Sequence, residues 1–324
     1  MKTFKFTKIV LLAFLTFGLI SCSDDDDGGD VVEPTNTIAD FVAGNPDYSS
    51  LAAALEVTGL DATLDGTANF TVFAPNNAAF NTFLSDNGFS SLSEVPEDVL
   101  TEILLNHVQE GEIMSGDLST GYIESMATGM ASEEALSMYI NTDDGVTING
   151  VSSVTTADVE VDNGIIHAVD AVIGLPDITT FATADPNFDI LVQALTREES
   201  FSFVETLMMT EDPAPFTVFA PTNDAFVALL SELELAALGD IPTETLDATL
   251  QYHVVTAANV RSGDLTDGMA ITTLLGEDFT VNLGDDVVIT DGRGRTSTVI
   301  AADVQANNGV IHVLDTVLLP PAAE

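Results

Sequence analysis

Histidine is the side chain best suited to moving a proton or holding a metal near neutral pH. The four histidines of this 324-residue chain fall at matched positions, His107 with His253 and His167 with His312. The pairing invites a metal site or an acid–base pair in each half. Local spacing argues against a dyad: His167 and Asp170, like His312 and Asp315, are three apart in apolar runs that read as strands, so their side chains face opposite ways. A neutral imidazole satisfied by one buried hydrogen bond is the commoner state in such a run. The two histidines of a copy could instead lie near one another in the core, pinning the first motif region to the last strand. There is no G-x-S-x-G elbow, no H-E-x-x-H and no Gly-rich phosphate loop, and the lone cysteine is Cys22. The reading is therefore non-catalytic, with no metal site expected. Two oxygen-rich turns, Asn141-Thr-Asp143-Asp144-Gly145 and Asn282-Leu-Gly-Asp285-Asp286, lack EF-hand spacing. Such clusters arise by composition in a chain with 52 acids. No cofactor is expected, and calcium at these turns stays as the alternative.

The elements that must carry these residues come in duplicate. Phe70-Thr-Val-Phe-Ala-Pro-Asn-Asn-Ala-Ala-Phe80 returns as Phe216-Thr-Val-Phe-Ala-Pro-Thr-Asn-Asp-Ala-Phe226, and Asn163-Gly-Ile-Ile-His-Ala-Val-Asp170 returns as Asn308-Gly-Val-Ile-His-Val-Leu-Asp315. One spacing kept at both ends of a long unit means a duplicated globular domain. Phe70 and Phe216 open alternating stretches that predict strands, which Pro75 and Pro221 end. Asn76-Asn77 and Asn223-Asp224 read as caps of the following helices. Helices are also predicted after Thr37 and Thr179, Pro46 and Pro186, and Pro96 and Pro242. Six residues are gained in the second copy between Pro186 and Phe216, and the region 201–215 is where the copies differ most. Matched turns, Ser115-Gly116-Asp117-Leu118 and Ser262-Gly263-Asp264-Leu265, precede segments that read as strands, including 146–148, 151–161 and 164–173. Asp291-Gly-Arg293-Gly-Arg295 reads as a hairpin turn. Helices first and strands later predict an α+β domain with a mostly antiparallel sheet.

Taken together, FTVFAPxNxAF, the step Tyr252-His253-Val254 and the closing NGxIHxxDxVLxP are similar to the fasciclin (FAS1) domain. Both copies carry both outer motifs, over 37–174 and 178–320. The first copy departs at Asn106, which precedes His107 where the family pattern has Tyr. The resemblance implies two wedge-shaped β-sandwiches, each flanked by several helices, in a surface protein that acts in adhesion. Phe70, Pro75, Asn76, His107 and His167, with Phe216, Pro221, Asn223, Tyr252, His253 and His312, are then structural motif residues.

Lys2, Lys5 and Lys8 precede an apolar run over residues 9–20, too short to span a bilayer comfortably, which predicts a secretion signal over 1–21. Leu19-Ile20-Ser21-Cys22 resembles a bacterial lipobox that would diacylate Cys22 as a lipid anchor. The acidic, Gly-containing segment 22–36 reads as a solvated tether, and its charge run is similar to the export signal of surface lipoproteins in Bacteroidota. The expected place is the cell outer membrane, lipid-anchored and facing outward. The net charge of −45 excludes a nucleic-acid partner, since binding needs cations to displace counterions. The expected partner is an extracellular protein or polysaccharide engaged in cell or matrix adhesion. An envelope module that captures a small molecule or polysaccharide is the alternative.

Overall fold

A computed structural model describes residues 36–322. The signal at 1–21, Cys22 and the tether up to residue 35 lie outside the described residues. The first copy opens with α1 (Ile38–Gly44), α2 (Ser49–Thr58) and α3 (Asp61–Leu64). Then come β1 (Phe70–Pro75), α4 (Asn77–Asp86), α5 (Glu97–Leu105) and β2 (Val108–Glu110). It closes with β3 (Gly121–Thr128), β4 (Ala135–Asn141), β5 (Thr147–Ile148), β6 (Ser152–Val161) and β7 (Gly164–Val169).

The second copy repeats the order with α6 (Ile178–Ala184), α7 (Asp189–Leu195), α8 (Phe203–Leu207), β8 (Phe216–Pro221), α9 (Asn223–Glu232) and α10 (Thr243–Gln251). Its strands continue as β9 (Val254–Thr256), β10 (Ala270–Thr272), β11 (Asp278–Leu283), β12 (Val287–Thr290), β13 (Thr296–Ala306) and β14 (Gly309–Leu314). Local chemistry fixes the start of each copy. Thr37 accepts from the Asp40 amide at 3.1 Å while the Asp40 carboxylate accepts from the Thr37 amide, a reciprocal cap on α1. Asp177 and Thr180 do the same for α6.

Among the described residues each copy forms a seven-stranded sheet, in the orders β2-β1-β7-β6-β5-β4-β3 and β10-β11-β12-β13-β14-β8-β9. The pairs β1–β7 and β8–β14 are parallel and the other pairs antiparallel. Two register breaks in β6 and two in β13 bend those long strands, so the sheet folds over on itself. β1 is therefore covered on both sides. Phe70, Val72 and Ala74 face a core shared with the helices, while Phe73 faces Met138, Ile140 and Ile148 from the folded-over half. Every residue of β1 and of β8 is buried.

The glycine of each NGxIH motif follows from this packing. A Cβ on Gly164 would collide with the Phe70 carbonyl oxygen, and one on Gly309 with that of Phe216. Only glycine lets the parallel pair approach. The preceding asparagine ties the helices down: Asn163 accepts from the Ile38 amide and donates to the Leu64 and Gly66 carbonyls, and Asn308 does the same for Ile178, Leu207 and Met209.

Two expectations are corrected. The strand expected over 164–173 stops at Val169; Asp170 accepts from the Ser153 amide at 2.7 Å, and the chain turns away beyond it. Asn223 is not a cap. Thr222 holds that position and accepts from Ala225, whereas Asn223 accepts from the Ile190 amide and donates to the Pro186 carbonyl. Its equivalent is Asn77, bonded to Ser50 and Pro46, while Asn76 does cap α4. The asparagine common to both copies thus clasps two helices together.

Candidate functional site

The histidines do not meet as metal or acid–base pairs. His107 follows α5, donates from Nδ1 to the Ile103 carbonyl at 2.7 Å, and accepts at Nε2 from the Ile173 amide at 2.8 Å. His253 repeats this with Thr249 and Leu318. Both ring nitrogens are spoken for, and acceptance at Nε2 requires the neutral ring. Burial pushes both imidazoles down to about 4. These rings pin the end of α5 or α10 to the segment after the last strand.

The other two histidines sit in a different network. His167 Nε2 donates to the Ile113 carbonyl at 2.9 Å, and Nδ1 accepts from the Asp158 amide at 3.2 Å. The Asp158 carboxylate accepts from the Ser115 amide and hydroxyl at 2.7 and 2.6 Å, and these two bonds hold its carboxyl below the usual range. His312, Asp303 and Ser262 form the same set around the Val260 carbonyl. Asp158 and Asp303 both have φ of 61°, in the left-handed region that Asp tolerates, at the second bulge of β6 and β13.

Serine, aspartate and histidine are thus gathered, but not as a nucleophilic triad. The hydroxyl donates to the carboxylate, and the imidazole hydrogen-bonds only to backbone groups, so the histidine does not address the serine oxygen. The set is a clasp between turn, bulge and strand. Thr71 and Thr217 strengthen it: Thr71 donates to the Gly111 carbonyl and accepts from the Ile113 amide, and Thr217 does so with Ala258 and Val260. Sequence reasoning missed Asp158 and Asp303. The signal was Ala157-Asp158-Val159 returning as Ala302-Asp303-Val304, in step with the histidines.

The remaining motif residues lie in the core. Phe70, Phe73, Phe216 and Phe219 are buried, and the Phe73 and Phe219 rings stand 5.5 and 5.3 Å from the His167 and His312 rings. The Tyr252 hydroxyl donates to the Asp278 carbonyl at 2.6 Å, and burial pushes it up to about 12. Asn106 in the same place donates to the Gly174 carbonyl and leaves its buried Oδ1 without a partner among the described residues. In the acidic turns, Asn141 Oδ1 accepts from the Asp143 amide, and Asn282 Nδ2 donates to Thr290 Oγ1. Asp291 organises the 291–295 turn, accepting from the amides of Arg293, Arg295 and Leu319.

Two open clefts lie where the copies meet. The β3–β4 hairpin of the first packs on β13 and α6 of the second, and Tyr139 enters the second copy's core. Ser137 Oγ accepts from the Gln305 amide at 3.0 Å, and Asn307 bonds through its backbone and side chain to Pro176, Met130 and Ala131. A Cβ on Gly129 would lie 2.9 Å from Asn307 Cα, so this contact also needs glycine. Open clefts of about 450 and 620 Å³ flank the junction. Tyr122, Tyr139 and Asp185 line one; Glu134, Arg261 and Asp303 line the other, with Arg261 within 3.6 Å of Glu134 and 3.9 Å of Asp303.

The model of the fasciclin domain matches twice, at residues 46–176 and 186–320. The chain belongs to the fasciclin domain family. Protein sll1483 of Synechocystis sp. is 40% identical over 148 residues, covering 44% of this chain and 73% of that protein. Transforming growth factor-beta-induced protein ig-h3 of Sus scrofa is 27% identical over 81% of this fasciclin chain and 36% of its own length. Human periostin is also 27% identical, over 81% of this chain and 29% of its own. The chain thus spans about a third of these animal relatives. Among solved structures, a FAS1 domain pair from the insect cell adhesion molecule Fasciclin I matches with 19% identity and a TM-score of 0.49, over 87% of this chain and 95% of that one. No helix among the described residues is long and apolar enough to cross a membrane.

Proposed function

We propose that this chain is a surface-anchored lipoprotein whose two fasciclin domains act as one adhesive unit toward an extracellular protein or polysaccharide, without catalysis. The observation that carries the reading is the interlocked junction: Tyr139, Ser137 and Asn307 hold two family domains in one geometry. Two fixed modules gain avidity from contacts that are individually weak, provided both can engage at once. The net charge of −45 favours a neutral or cation-bridged partner surface over an anionic one. Acylation at Cys22 would supply the anchor, since each buried methylene adds about 0.8 kcal/mol of membrane affinity.

Deletion of the gene should reduce attachment of cells to one another or to a matrix, and re-expression should restore it. Cys22→Ala should release the protein from the outer membrane and abolish the restoration. Attachment that is unchanged by deletion removes the adhesive reading, and Cys22→Ala protein that stays membrane-bound removes the anchor.

A further inference from the structure

Under α6, α7 and α8 the second domain holds a cavity of about 140 Å³, walled by Leu191, Leu207, Val218 and Ile311 among others. The first domain shows how it arises. The counterpart of Ala182 on α6 is Val42 on α1, which is 1% exposed and packs in the first domain's core. The α3 turn packs against both α1 and α2, whereas α8, displaced by the six-residue gain, has α6 as its main neighbour. A lost pair of methyl groups and a shifted helix together leave room that no side chain occupies.

The lining decides what could enter. His253 reaches the wall, but both its nitrogens bond to backbone. The interior therefore offers a guest no hydrogen bond, and an apolar cavity of this size, about 150 Å³ in the reference case, stays dry and accepts a benzene-sized hydrocarbon. Two exposed lining residues, Thr183 and Thr196, mark the mouth. Their hydroxyls already donate to the Thr179 and Val192 carbonyls, at 2.9 and 2.8 Å. Only their lone pairs remain, so they favour a head group that donates. The chain's net charge of −45 disfavours a carboxylate head.

We infer that this cavity binds the alkyl end of a neutral amphiphile with a hydroxyl-type head, either free or as part of a lipid. The site is independent of the adhesive junction.

Methyl-labelled full chain carrying Cys22→Ala, and therefore unacylated, is titrated with 1-hexanol, with hexanoate and with phosphatidylcholine vesicles containing diacylglycerol, a neutral lipid whose head is a hydroxyl. The expected result is saturable shifts of the Ala182 and Val204 methyls with hexanol, and at least tenfold weaker binding of hexanoate. Ala182→Val, which restores the first domain's residue, should weaken hexanol at least tenfold; Val204→Leu fills the cavity from α8 and should do the same if Ala182→Val fails to fold. Vesicles that reproduce the shifts identify a lipid chain as the source, and vesicles that leave them unchanged identify a free amphiphile. Absence of saturable shifts, equal binding of hexanoate, or undiminished binding in a folded cavity-filling variant overturns the inference.

Discussion

The phenol of Tyr122, on β3 of the first domain, donates a 3.0 Å hydrogen bond to the carboxylate of Asp185, at the end of α6 in the second. Asp185 is 4% exposed, and the Tyr122 ring packs against Tyr139 at 5.1 Å and Phe181 at 5.6 Å. Burial first, and the neighbouring carboxylate second, raise the Tyr122 hydroxyl far above the ordinary range. It remains a donor wherever the protein is folded.

Removing that donor leaves a buried carboxylate oxygen short of a partner, which costs about 1–3 kcal/mol. Tyr122→Phe should therefore lower the denaturant midpoint. A double-mutant cycle with Asp185→Asn should give a coupling above about 0.5 kcal/mol. Additive single effects would show that the contact does not join the domains energetically.

Acid should destabilise both domains through His107 and His253. Their folded values of about 4 lie below the unfolded 6.5, so below pH 6.5 the unfolded chain binds more protons and stability falls as pH falls towards 4. Each ring contributes up to roughly 3 kcal/mol of this loss. The lowered Asp158 carboxyl acts in the same direction at lower pH. Imidazole proton shifts followed from pH 8 to 4 separate the sources; rings that titrate near 6.5 in folded protein contradict the assignment.

Self-repulsion in a chain of net charge −45 should yield to salt. The screening length falls from about 10 Å at 0.1 M to about 3 Å at 1 M, so the melting temperature should rise over that range. Calcium and magnesium at equal ionic strength should act alike. A calcium-specific increment would instead point to the turns at 141–145 and 282–286.

Gly309→Ala should unfold the second domain or cost about 3 kcal/mol, because the new methyl group meets the Phe216 carbonyl and Ile178. Gly174→Ala, with no atom within 4 Å of its added Cβ, serves as the control. Similar melts for the two variants would remove the close-approach account of the NGxIH motif.

FTVFAP and NGxIH were readable as β-segments because contacts on both faces fix their sequences, but their parallel pairing was not, since it depends on strands about ninety residues apart. The role of Asn223 was not readable: a Pro-Asn or Pro-Thr-Asn step suits a cap equally well, and its bonds to Pro186 and Ile190 depend on a helix more than thirty residues away. Asp158 and Asp303 escaped notice for a related reason. Their left-handed conformation follows from a bulge whose register is set across the sheet by β7 and β14. The exchange of Val42 for Ala182 was visible as a difference, but its outcome depends on where α8 comes to rest.

Two copies of one sequence become unequal parts when they dock as these do. The hairpin of the first meets the long strand and first helix of the second, so the contact surfaces are of two kinds, a tongue and a seat. Matched positions therefore lose their equivalence: Tyr139 answers for the junction, while Thr280, at the same place in the other copy's ribbon, pairs only within its own sheet, with Ala270 and Thr290. The duplicated chain carries a direction, and a partner that spans both halves will read it from one end.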